Sequence, residues 1–127
     1  MKKYISVLED DDSLRDLFTV LLEDEGYSVQ GFSTVASFTN SLRTPLPDLF
    51  ILDVRLPDGD GIQVCGLIKS TIATQNIPVI MMSAHRNFER ENGMCTAEAF
   101  IAKPFDIPAL LAKINALIKK DQDSILR

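Results

Sequence analysis

Short apolar runs alternate along the chain with segments whose apolar residues recur every three or four positions, and this alternation constrains the fold more than any other feature. Tyr4 to Leu8 is a run of strand formers. Leu14, Leu17, Phe18, Leu21 and Leu22 follow at helical spacing, and Gly26 closes that helix. The helix start has a capping-box form, Ser13-Leu14-Arg15-Asp16, although Asp11 and Asp12 can cap it equally well. Ser28 to Phe32 predicts a second strand, and Val35, Phe38 and Leu42 mark one face of a short helix. Thr44-Pro45-Leu46-Pro47 is a breaker before the continuous strand Leu49 to Leu52. The Gly-rich turn Asp58-Gly59-Asp60-Gly61 leads into a helix over Ile62, Cys65 and Ile68, with Val64 and Leu67 widening its apolar face. Val79 to Met82 and Phe100 to Ala102 supply two further strands. In the last helix Ile107, Leu110, Leu111, Ile114, Leu117 and Ile118 trace one stripe.

Five strands alternating with five helices predict an α/β fold, a parallel sheet covered by helices on both faces. Right-handed crossovers leave few topologies open to it. The 127 residues are enough for one domain with a proper core. The sequence reading places that domain over 1–120, with 121–127 as a short polar tail and no output domain visible. A net charge of -5 argues against a nucleic-acid surface, which needs clustered Lys and Arg. No apolar stretch approaches the roughly 18–20 residues of a membrane span. The apolar run after the basic N-terminus stops at Leu8, too soon for a signal peptide. Cys65 and Cys95 have neither metal spacing nor a disulfide framework, so both are read as small apolar residues in a reducing cytoplasm.

Four of the predicted strands are apolar runs, and each ends in a polar residue: Glu9-Asp10, Asp53, Ser83 and Lys103. Open parallel sheets bind ligands outside the carboxyl ends of their strands. The order of elements therefore gathers three carboxylates, a hydroxyl and an ammonium at the edge where chemistry is done. Three carboxylates so close repel one another, and a hard divalent cation such as Mg²⁺ resolves the repulsion with oxygen ligands. Carboxylate, Mg²⁺, lysine and hydroxyl are the parts that hold a phosphoryl group during in-line transfer. Asp53 is the natural nucleophile, Lys103 would neutralise one phosphoryl oxygen, and Ser83 would donate a hydrogen bond to another.

At these residues the sequence matches a known pattern. Val7-Leu8-Glu9-Asp10-Asp11, Leu52-Asp53-Val54-Arg55-Leu56-Pro57-Asp58-Gly59-Asp60-Gly61, Met82-Ser83-Ala84 and Ala102-Lys103-Pro104-Phe105 together resemble the receiver domains of two-component response regulators. The resemblance runs from Lys3 to about Lys119. It implies a doubly wound, flavodoxin-like (βα)5 sheet of order 2-1-3-4-5. It implies that Asp53 is the phosphoacceptor, that Glu9 and Asp10 hold Mg²⁺ with Asp53, and that the Arg55 backbone carbonyl is a further ligand. Ser83 takes the place of the switch hydroxyl, Lys103 that of the family's lysine, and Phe100 that of the aromatic residue that turns inward. The Lys103-Pro104 peptide is expected to be cis.

Two features depart from the pattern. Glu9 stands where Asp is commoner, and Ser83 to Lys103 is about two residues short, so the helix expected around Arg86 to Gly93 is short or irregular. His85 either lines the mouth of the site or is a solvated loop residue, and the Arg55 side chain is equally open. The resemblance implies a bacterial-type, cytoplasmic signalling switch that catalyses only its own phosphorylation and dephosphorylation. Its partners would be a sensor histidine kinase or phosphotransfer protein and an output protein or domain, and a homodimer is allowed. Two alternatives remain at this level. One is a degenerate receiver that only binds partners. The other is a Mg²⁺-dependent aspartyl phosphatase, against which Arg55 stands where such enzymes carry a second Asp.

Overall fold

The computed structural model describes residues 2–84 and 96–125. Seven strands and four helices are described: β1 Tyr4–Leu8, α1 Asp12–Asp24, β2 Ser28–Phe32, α2 Val35–Asn40, β3 Leu49–Asp53, β4 Arg55–Leu56, β5 Gly59–Asp60, α3 Gly61–Ser70, β6 Val79–Ser83, β7 Ala99–Ala102 and α4 Ile107–Ile125. Five strands form one sheet in the order β2-β1-β3-β6-β7, every neighbouring pair parallel. Counting only those five, this is the 2-1-3-4-5 order that the resemblance implies. The helix expected around Arg86 to Gly93 lies outside the described residues, as do His85 and Cys95.

Successive strand residues point to opposite faces, so each central strand feeds two cores at once. On β3, Phe50 and Leu52 pack with Leu8, Val79 and Met81 toward α2 and α3. Leu49 and Ile51 pack with Ile5, Val7, Ile80 and Met82 toward α1 and α4. All five residues of β3 and of β6 are buried, which is why these segments read as continuous apolar runs. The edge strand β2 exposes Ser28, Gln30 and Gly31 and turns only Val29 and Phe32 inward.

The helix ends follow local chemistry. Asp11, not Ser13, caps α1, its carboxylate accepting from the Leu14 amide at 3.0 Å. Gly26, at φ 95°, closes α1, with its own amide bonded to the Glu23 carbonyl and that of Tyr27 to the Leu22 carbonyl. Only a residue free of a Cβ takes that backbone conformation without strain. α2 stops at Asn40, short of Leu42, which still packs against the core. Helix α4 runs through Ile125, past Lys120, where the sequence reading begins a polar tail. The Lys103-Pro104 peptide is cis, as expected, and so is Thr44-Pro45.

One element was missed. Arg55 and Leu56 pair antiparallel with Asp60 and Gly59, making a small ribbon out of what the sequence reading treats as a turn. Its tip presents Asp58, which accepts from the Val35 and Ala36 amides at 2.7 and 3.1 Å. These are unpaired donors at the start of α2, so the ribbon is tied to a helix 22 residues away in sequence.

Truncating Ile51, fully buried on the central strand, to Ala is expected to cost about 2–5 kcal/mol in urea unfolding. The two amide bonds hold the Asp58 carboxyl below its ordinary pKa. Its contribution is therefore complete above the unfolded value of 3.8 and lost as pH falls through the lower folded value. Asp58→Asn should melt below wild type near neutral pH, and the gap should close in acid.

Candidate functional site

The parallel sheet brings the ends of β1, β3, β6 and β7 to one edge, and the predicted polar residues meet there. Asp10, Asp53, Arg55, Ser83, Ala84 and Lys103 line a cleft of about 500 Å³. Glu9 is completely buried beneath it, and Asp53 is nearly so.

Several backbone contacts set the position of Asp53. The next amide, Val54, donates to the Met82 carbonyl at 3.0 Å, and the Gly61 amide donates to the Val54 carbonyl at 2.8 Å. A Cβ at residue 61 would lie 2.0 Å from the Asp53 carbonyl oxygen, so this corner can be turned only by glycine. Asp60 then caps α3, accepting from the Ile62 amide at 2.8 Å.

Lys103 reaches into the cluster from the end of β7. Its Nζ lies 2.6 Å from Glu9 Oε1 and 3.1 Å from Asp53 Oδ2. Its backbone amide donates to the Ser83 carbonyl at 2.9 Å, which holds the two strand ends side by side. Burial lowers the lysine pKa, but the hydrogen bond it donates to Glu9 and the charges of Asp53 and Glu9 outweigh it and leave the pKa raised. The ammonium is thus held charged between two acids.

Asp10 stands at the exposed rim. Desolvation, reinforced by the hydrogen bond and charge of Glu9, raises its pKa, with Lys103 opposing in part. Carboxylate oxygens of Glu9, Asp10 and Asp53 all lie within 4.8 Å of one another. Among the described residues one ammonium, that of Lys103, pairs within this group of three acids, which leaves negative charge uncompensated. An all-oxygen donor set, partly buried and partly at a solvent-facing rim, suits a hard divalent ion that keeps some of its water. The structure thus brings together the residues expected to hold Mg²⁺, and Arg55 beside them lines the cleft.

Phe100, the residue expected to switch, is half-buried and packs against the α2/α3 core, paired in register with Met81. Cys65 is buried in α3, as expected of a small apolar residue, but it is disulfide-bonded, which corrects the reading that its spacing offers no disulfide. Cysteine spacing therefore carries no argument for a reducing compartment.

Two contacts beside the site escaped the sequence reading. The Asp11 amide donates to Glu9 Oε2 at 3.1 Å, and Arg15 Nη1 donates to the Glu9 carbonyl at 2.9 Å. The run of acids before Arg15 was visible, but the direction of that arginine was not.

Comparison with known proteins agrees with this arrangement. The chain is 36% identical over 122 residues to the phosphate regulon transcriptional regulatory protein PhoB of Escherichia coli K12, an alignment covering 94% of this chain and 53% of PhoB. The chain spans about half the length of the curated relatives it matches. Its fold superimposes with a TM-score of 0.89 on a CheY-like receiver domain protein from Methanospirillum hungatei, at 24% identity over 98% of this chain and 99% of that one. The BeF3-activated receiver domain of DrrB superimposes with a TM-score of 0.80, at 27% identity over 94% of this chain and 99% of that one. The family model described as the response regulator receiver domain matches residues 5–115, and the chain belongs to that family.

Proposed function

We propose that this protein accepts a phosphoryl group on Asp53 from a sensor histidine kinase or phosphotransfer protein, in a Mg²⁺-dependent reaction, and then switches its output face. The observation that carries the reading is the Asp53 carboxylate itself. It is buried at the end of the central strand, salt-bridged at 3.1 Å to Lys103, and open to the cleft.

An Asp53 carboxylate oxygen attacks the phosphorus of the donor. The bond from phosphorus to the donor atom breaks as the acyl phosphate forms, and the electron pair leaves with the donor. Lys103, already positioned beside Asp53 Oδ2, neutralises charge on the transferred group. Ser83 lines the same cleft and offers its hydroxyl to a phosphoryl oxygen. Bound Mg²⁺, which Glu9, Asp10, Asp53 and the Arg55 carbonyl would hold, supplies positive charge to the phosphoryl oxygens during transfer. Engagement of Ser83 and Lys103 by the phosphoryl group would shift Phe100 and the surface around β7 to a second arrangement. On this reading the protein is a switch rather than an enzyme with an external substrate.

PhoB is named as a transcriptional regulator, and a relative from Mycolicibacterium smegmatis, MtrA, is named as DNA-binding. For the acidic chain described here we propose protein partners rather than direct contact with nucleic acid, because its net charge is -5. Among the described residues no helix is long and apolar enough to cross a membrane. We place the protein in the cytoplasm, beside the phosphoryl donor it requires.

Intact mass after incubation with Mg²⁺ and acetyl phosphate tests the proposal. One added phosphoryl group is expected, absent in Asp53→Asn and absent when the metal is chelated. Ser83→Ala should still be phosphorylated but lose the phosphorylation-dependent change in the Phe100 environment, read by NMR. No phosphorylation from acetyl phosphate or from a cognate kinase would overturn the reading.

A further inference from the structure

Arg15 makes a set of contacts for which the phosphoryl-transfer reading has no use. It lies on the first turns of α1, its side chain largely covered, and its guanidinium points back toward the end of β1. Nη1 donates to the Glu9 carbonyl at 2.9 Å, and Nη2 pairs with Asp12 Oδ1 at 2.6 Å. The stem crosses β2 where that strand has no side chain: a Cβ at residue 31 would lie 2.8 Å from both Cγ and Cδ of Arg15. Gly31 pairs in register with Val7, two residues before Glu9. Glycine is poorly suited to a strand, and here its missing side chain makes room for the arginine.

We infer that Arg15, seated in the gap left by Gly31, is a positioning residue that sets the acidic β1–α1 loop for Mg²⁺. The inference rests on the metal reading proposed above. Residues 9–12 are four consecutive acids whose charges push the loop apart. Lys103 holds the Glu9 side chain from the sheet side, and Arg15 holds the Glu9 backbone and Asp12 from the other. The Glu9 carbonyl belongs to the same planar peptide as the Asp10 amide. Fixing that carbonyl therefore fixes the direction in which the chain presents Asp10, the ligand at the rim. The contact needs a fork: one nitrogen takes the carbonyl and the other the carboxylate, which a lysine ammonium on a flexible stem cannot reproduce in the same geometry. Arg15 bonds the Glu9 carbonyl and the Asp12 carboxylate, so it acts on the clustered acids through the backbone and not as a ligand.

Calorimetric Mg²⁺ titration of the whole protein tests this with Arg15→Ala, Arg15→Lys, Gly31→Ala and the Arg15→Ala/Gly31→Ala pair. Loss of such an outer contact typically weakens metal binding 10–100-fold, and about tenfold is expected for Arg15→Ala. Arg15→Lys should recover part of that loss. Gly31→Ala should weaken binding by displacing the arginine stem, while its urea unfolding in EDTA stays at or above wild type, since Ala restricts the unfolded chain more than Gly. The double variant should bind no more weakly than Arg15→Ala alone, because both changes remove one contact. Wild-type affinity in Arg15→Ala, or independent losses that add in the pair, would overturn the inference and leave the metal site standing. Absence of Mg²⁺ binding in wild type would instead remove the metal reading, and this inference with it.

Discussion

Two buried carboxylates, Glu9 and Asp53, share the Lys103 ammonium, and the described part of the site is organised around that shared charge. Removing an acid from water is costly unless it is paired, and here one ammonium serves two acids. Lys103 comes from a position 94 residues after Glu9 and 50 after Asp53. A sheet whose strands all run the same way brings their carboxyl ends, however distant in sequence, to one edge. The same geometry leaves Asp10 at the rim with its pKa raised, a group that gains from any further cation entering the cleft.

Around this charge balance the backbone is tightly specified. The chain leaves β3 at Asp53, forms the ribbon of β4 and β5, and enters α3 through a glycine whose absent side chain lets it pass the Asp53 carbonyl. The ribbon's tip caps α2 through Asp58, and the opposite loop is held through Glu9 by Arg15 and Lys103. Both loops that would carry metal ligands are thus braced against helices that carry none of those ligands. A site that takes a phosphoryl group, as proposed here, would gain from such bracing, because ligands held in place need not be ordered again at each cycle.

Much of this was legible in the residues. Strands buried on both faces are mostly apolar, so β1, β3 and β6 stood out as apolar runs, interrupted within β1 only at Ser6, and their polar ends marked the edge of the sheet. The edge strand β2 and the ribbon were less legible. An edge strand carries polar residues on its exposed positions, and two paired residues are too few for any period to show. Cys65 shows the opposite failure, since its apolar surroundings predicted its burial but said nothing of its bonding.

What the sequence by itself determined was the class of fold, the identity of the acids, the lysine and the hydroxyl, and their place at strand ends. These follow from local periodicity, which one chain segment carries alone. What only the tertiary structure decided was which groups touch. Lys103 takes Glu9 as well as Asp53, Asp58 serves a helix in another part of the chain, and Arg15 turns back across Gly31 to hold a carbonyl. Each of those contacts depends on the sheet register and on the direction of a long or hydrogen-bonding side chain, and neither is set by residue type or by spacing.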